Sequence, residues 1–285
     1  MRVPAAIFRQ YDIRGTVGDQ LTDELAHAIG QGVATLARGH LGMGRAPLLA
    51  VGRDNRPSGA TLAAAVRRGI AAAGGTAVDV GELPTPALYF ATHTVPVDGG
   101  IQVTGSHNPP EFNGFKIVLG GEALFGEDLQ DLREMLEDNL VETRTQGGET
   151  RAPGVLAAYR DAIVQRNAPL ARRVKVAVDC GNGVTSLVAI DTLRRLGADV
   201  VPLYAESDGT FPNHHPDPTV IETLRTSRPP SSARAASWGS PSTATAIASA
   251  RWTNTGGWCS ATSCWCCSGA TWPDARVRVT RSSST

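Results

Sequence analysis

Apolar positions recur along the first two thirds of the chain with two alternating periods. Thr22 offers a capping hydroxyl, Asp23 and Glu24 sit in a first turn, and Leu25, Ile29, Val33 and Leu36 follow at helical spacing. Residues 48–51 are a short apolar run that predicts a buried strand, ending in the turn Gly52-Arg53-Asp54-Asn55-Arg56-Pro57. Ser58 is expected to cap a second helix with Leu62, Val66 and Ile70 on one face, closed by Gly74-Gly75 and followed by a strand over 76–80. Pro86 opens a helix reaching about residue 93, and 101–103 and 115–119 read as strands on either side of a polar loop. Residues 127–139 predict a charged surface helix, and 142–153, rich in Thr, Gly and charge, read as a linker.

A second unit of similar plan follows, with a helix over 155–165, a strand over 174–178, a turn at 179–183, a helix over 185–196 and a strand over 199–202. It stops in the loop Phe211-Pro212-Asn213-His214-His215-Pro216-Asp217-Pro218 before it has enough elements to close a sheet. Alternation of this kind predicts an α/β class with mixed or parallel sheets covered by helices. The expected division is a complete unit over 1–148, a partial one over 149–222 and a remainder over 223–285.

At 285 residues and 41% hydrophobic, the chain has room for two packed domains. Lys plus Arg equals Asp plus Glu at 27 each, so charge gives no reason to expect nucleic acid or membrane as a partner. No apolar run suits a signal peptide or a membrane span, which makes the cytoplasm the expected location. These averages hide a break. From Thr223 onward there is no Lys, one acidic residue (Asp274) and one Leu (Leu224), yet all five Trp and Cys259, Cys264, Cys266 and Cys267 lie there. Such a segment lacks the aliphatic periodicity that buries a core, so it is expected to be unstructured. The cysteine spacing fits no paired zinc-ligand set.

The candidate chemistry lies in Thr104-Gly105-Ser106-His107-Asn108-Pro109, ahead of Asn113-Gly114-Phe115-Lys116. A hydroxyl on a tight loop, next to an imidazole and within local reach of an ammonium, suits a serine that carries a phosphoryl group. A serine hydrolase is the other reading of Ser-His. Adjacent residues in an extended loop point apart, however, and the G-x-S-x-G elbow is missing.

The string from Thr104 to Lys116 resembles the phosphoserine loop of the α-D-phosphohexomutases, in the phosphomannomutase/phosphoglucomutase branch. Other family pieces occur in order: Phe8-Arg9-Gln10-Tyr11-Asp12-Ile13-Arg14-Gly15, Val51-Gly52-Arg53-Asp54, Pro84-Thr85-Pro86, Val178-Asp179-Cys180-Gly181-Asn182-Gly183 and the proline-rich loop at 211–218. The resemblance covers about residues 5–222. It implies layered α/β/α domains and a monomer acting on hexose phosphates, with mannose or glucose 1- or 6-phosphate as substrates. It also implies that Ser106 carries phosphate, that Arg14 and Lys116 flank it and assist proton transfer, and that Tyr11, His107 and Asn108 line the site. The expected cofactor is Mg2+, held against the phosphate on Ser106 by an Asp-Gly-Asp-Gly-Asp loop.

That loop is absent from the chain. Reading residues 239–249 from the preceding codon's third base, with the free third bases chosen to fit, spells Leu-Ala-Phe-Asp-Gly-Asp-Gly-Asp-Arg-Ile. A one-frame shift between about Glu222 and Gly239 is therefore expected, leaving the chain without its metal carboxylates and with little or no mutase activity. A non-catalytic binding remnant is the alternative. Arg53 and Asp54 are expected to hold the domain together by a salt bridge, the 181–183 turn to be a packing turn, and His214-His215 to belong to a structural loop.

Overall fold

The computed structural model describes residues 3–40, 42, 45–145 and 147–217, together with the backbone of three short strands further on. The chain divides into two compact units, Met1–Tyr159 and Arg160–Thr285.

The first unit runs β1 (Ile13–Thr16), α1 (Asp23–His40), β2 (Leu48–Arg53), α2 (Gly59–Ala72), β3 (Thr76–Glu82), α3 (Thr85–Thr94), β4 (Gly99–Val103), β5 (Phe112–Leu119), β6 (Glu122–Ala123), α4 (Glu127–Glu137), β7 (Gly148–Arg151) and the start of α5 (Val155–Arg166). Its sheet has the order β1-β5-β4-β2-β3-β7, with β6 on β5. β2, β3, β4 and β7 are parallel, whereas β5 is antiparallel to both β1 and β4.

One cluster of buried side chains, including Leu25, Ile29 and Val33 of α1 with Leu62, Val66 and Ile70 of α2, covers one face together with α4. The other face is covered by α3 and the first turn of α5, through Leu88, Ala91 and Val155. The connection from β2 leads to β3 on one side and that from β4 leads to β5 on the other. The crevice beyond the carboxyl ends of β2 and β4 is therefore a topological switch point, the usual place for a ligand site in such sheets.

Thr22 caps α1 as expected, its Oγ1 accepting from the Leu25 amide at 3.2 Å. Ser58 does not cap α2 through its side chain; its hydroxyl accepts from Asn113 Nδ2 at 2.9 Å. Residues 142–153 are not a free linker. Glu142 pairs with Arg38 at 3.1 Å, and β7 adds a parallel strand to β3. An edge strand with solvent on both sides carries no apolar alternation, so its polar sequence reads as linker.

In the second unit β8 (Lys175–Asp179) and β9 (Asp199–Leu203) pair in parallel, and α6 (Ser186–Arg195) connects them. Val176, Val178, Ala198 and Val200 form its core. Gly181 and Asn182 take left-handed backbone in a tight turn at the end of β8. In the tail, β10 (Trp238–Pro241) lies parallel to β8, and β11 (Ala250–Trp252) and β12 (Trp258–Cys259) continue antiparallel. Strand pairing needs only backbone groups, and the open edge of β8 supplies them. Residues 242–249, where the shifted frame spells the acidic loop, and Cys264, Cys266 and Cys267 lie outside the described residues.

Candidate active site

The 104–111 loop leaves β4 and returns into β5 at the switch-point crevice. Asp54, just past β2, ties the two strand ends together, its amide donating to the Val103 carbonyl at 2.9 Å. The Asp54 carboxylate accepts from Thr104 Oγ1 at 2.7 Å, from the Gly105 amide at 3.3 Å, and from the amide and Nε of Arg56 at 3.1 and 3.2 Å. Thr104 Oγ1 in turn accepts from the Ser106 amide at 3.0 Å. Both side chains of the Asp54–Arg56 pair are fully shielded from solvent. Burial pushes the Asp54 carboxyl up, and the Arg56 guanidinium and the Thr104 hydroxyl oppose that push.

Ser106 is buried and holds a left-handed φ of 56°. That conformation bends the loop and brings its Oγ to 3.4 Å from His107 Nδ1. The expectation that neighbouring side chains point apart fails here, because it assumes extended backbone.

Arg14, on β1, and Lys116, on β5, reach the site through one shared carboxylate. Arg14 Nη1 donates to Asn108 Oδ1 at 3.2 Å, its Nη2 hydrogen-bonds Asp12 Oδ2, and Lys116 Nζ donates to the same oxygen at 3.0 Å. Burial raises the Asp12 carboxyl, but Lys116 and Arg14 outweigh it and hold it below the usual carboxylate value. Gly114 lets β1 approach β5 this closely: a Cβ there would sit 2.1 Å from the Ile13 carbonyl oxygen. Tyr11, the residue before Asp12, stands at 67% exposure.

Of the residues singled out from sequence, the structure joins Arg14 to Asn108, Arg14 and Lys116 through Asp12, and Ser106 to His107. Asp12, Thr104, Asp54 and Arg56 were not assigned to the site. Asp12 lies within the 8–15 motif, but nothing in a single sequence shows that it bridges Arg14 to a lysine 104 residues beyond Asp12 itself. Arg53 and Asp54 hold the domain, though not with each other: Arg53 pairs with Glu82 at 2.7 Å and Asp54 with Arg56. A linear string cannot show which of four turn residues faces inward.

In the second unit, His214 Nε2 lies 3.1 Å from both carboxylate oxygens of buried Asp179, and Nδ1 lies 2.9 Å from the His215 carbonyl. Both ring nitrogens face acceptors, so the imidazolium is favoured. The hydrogen bond to Asp179 raises the pKa, against the effect of burial. A folded pKa above the unfolded value gives stability that is complete below about pH 6.5 and lost as pH rises through the folded pKa. Urea titrations should show the second unit weakening as pH rises above about 6.5, and His214→Gln should remove that dependence. A pH dependence unchanged in His214→Gln would remove this assignment.

Among the described residues, no three His, Cys, Asp or Glu side chains converge as a metal site, and no helix is long and apolar enough to cross a membrane. Among the described residues the serine loop gathers no such set of carboxylates, and that lining does not fit a magnesium ion.

The first unit is thus an α/β/α layered domain whose antiparallel sheet edge returns a buried serine loop beside paired cations. Residues 5–140 match the description "Phosphoglucomutase/phosphomannomutase, alpha/beta/alpha domain I", and residues 157–237 match domain II of the same family. The chain belongs to the phosphoglucomutase/phosphomannomutase family of α-D-phosphohexomutases. It is 45% identical over 225 residues to the phosphomannomutase/phosphoglucomutase of Pseudomonas aeruginosa PAO1, covering 78% of this chain and 47% of that protein. It is 43% identical over 220 residues to a phosphoglucomutase of Neisseria gonorrhoeae, covering 77% and 46%. A solved phosphoglucomutase/phosphomannomutase family protein from Burkholderia thailandensis superposes with a TM-score of 0.81 at 36% identity, over 88% of this chain and 55% of that one. The chain thus spans about half the length of the curated relatives it matches.

Proposed function

We propose that this chain carries the phosphoserine half of a phosphohexomutase, with Ser106 as the group that accepts and returns phosphate. A hexose bisphosphate places one phosphoryl group at Ser106. A bond forms between phosphorus and Oγ, the sugar oxygen–phosphorus bond breaks, and the serine proton passes to the departing sugar oxygen. His107, 3.4 Å from Oγ, and Lys116 are the candidates to hold that proton. Arg14 and Lys116 supply positive charge against a dianion, and Asp12 keeps both in place until phosphate arrives. Asn108 and exposed Tyr11 are the sugar-facing residues.

The observation that carries this reading is the buried Ser106 loop, held by its own hydrogen-bonded cradle, next to a cation pair that shares one carboxylate. Glucose or mannose phosphates are the substrates by family, with no feature of this half choosing between them.

Full interconversion is expected to be weak or absent. The shifted frame would place three aspartates over 243–247, where the chain reads Thr243-Ala244-Thr245-Ala246-Ile247. Intact-mass analysis after incubation with glucose 1,6-bisphosphate should show one added phosphate, located at Ser106 by peptide mapping. A chain that takes no phosphate, or takes it elsewhere, overturns the reading. Sustained conversion of mannose 1-phosphate at a rate typical of enzymes, about 10 per second, would overturn the expected impairment.

A further inference from the structure

We infer that Arg56, which lies outside the reacting groups, is the positioning residue of the serine loop. Seated on Asp54, its guanidinium holds the loop carbonyls so that Ser106 keeps its left-handed backbone and its hydroxyl stays beside His107. This rests on the proposed role of Ser106.

A guanidinium has five N–H donors in a fixed fork, and all five find acceptors here. Nε donates to Asp54 Oδ2 at 3.2 Å. Nη2 donates to the Ser106 and Asn108 carbonyls at 3.0 and 2.6 Å, on the outgoing arm of the loop. Nη1 donates to the Pro109 and Phe112 carbonyls at 2.5 and 3.0 Å, on the returning arm. One side chain thus binds both arms, including the residue carbonyl of the nucleophile itself.

The fit leaves no slack. A Cβ on Gly105 would lie 2.5 Å from Arg56 Cζ, so the guanidinium packs directly against the backbone next to Ser106. Arg56 is 1% exposed, and a charge buried that deeply persists only where its donors are used. Left-handed backbone at a residue with a Cβ is strained, and such strain persists where the surroundings over-determine it. Lysine keeps the charge but cannot place five donors along a planar fork.

The test compares the full chain with Arg56→Lys by amide hydrogen exchange and by phosphate uptake from glucose 1,6-bisphosphate. Loop amides over 105–112 should exchange at least about 10-fold faster in the variant while β2 and β4 stay protected. Uptake at Ser106 should be about 100-fold slower, the scale of a nucleophile displaced by an ångström. A residue that only stabilised the domain would lower the melting temperature without changing loop exchange in the folded protein. Equal loop exchange in the two proteins therefore overturns the positioning role, whatever happens to uptake. A wild-type chain that takes no phosphate overturns the role of Ser106, and exchange then decides the part of Arg56 alone. Should Arg56→Lys fail to fold, the wild-type chain still decides. Its Ser106 and Asn108 amides should be protected at least about 100-fold over free peptide, and exchange as fast as an open surface loop would overturn the inference.

Discussion

Ser106→Ala should lose phosphate uptake from glucose 1,6-bisphosphate by more than about 10³-fold while the chain stays folded. The alanine removes the hydroxyl of the left-handed residue of the loop, which is the proposed phosphate acceptor. The fold should tolerate the change, because the loop is held through backbone groups of residue 106 rather than through its hydroxyl. The Ser106 amide donates to Thr104 Oγ1, and its carbonyl accepts from Arg56. Alanine and serine both carry a Cβ, so a φ of 56° strains them alike. Stability should shift by less than about 1 kcal/mol, as for substitutions that open no cavity and strand no charge. Phosphate still incorporated by the variant would move the acceptor to another group, with His107 the nearest candidate.

Asp54→Asn should destabilise the first unit by about 3–5 kcal/mol, the scale for removing one partner of a buried pair. The substitution keeps shape and volume, which isolates charge and hydrogen bonding. In the native site one carboxylate oxygen accepts from the Arg56 amide, and the other accepts from Arg56 Nε, Thr104 Oγ1 and the Gly105 amide. An asparagine has a single acceptor oxygen, so its NH2 meets a donor in either orientation. Arg56 is then left as a buried charge that keeps its carbonyl partners and loses its Asp54 counter-ion. Chemical denaturation followed by circular dichroism measures the loss. A loss under about 1 kcal/mol would mean that the pair is solvated or neutral, and the account of the cradle would fall with it.

The shared carboxylate at Asp12 gives the site a charge balance that neither motif discloses alone. Two cations face one anion within a few ångströms, which leaves a net positive site for an arriving phosphate. Arg14 belongs to β1, near the chain start, and Lys116 to β5, and the antiparallel pairing of those strands sets Arg14 opposite Gly114. Ser106 comes from a third place, the end of β4.

What the sequence by itself determined is the set of local elements and the family to which the candidate serine string belongs. Helical spacing placed α1 and α2, the apolar runs placed the buried strands, and the ordered motifs from Phe8 to Pro218 marked the family that residues 5–140 and 157–237 then matched. These are properties of neighbouring residues, and periodicity records them. Only the tertiary structure decided which charges face inward. It turned Arg56 under the loop while Arg53 went to Glu82, gave Arg14 and Lys116 a common partner in Asp12, and made residues 148–151 an edge strand. The physical reason is that burial of a charge is settled by distant acceptors, here carbonyls and carboxylates brought together by strand order, and no local pattern of polar and apolar residues encodes that order.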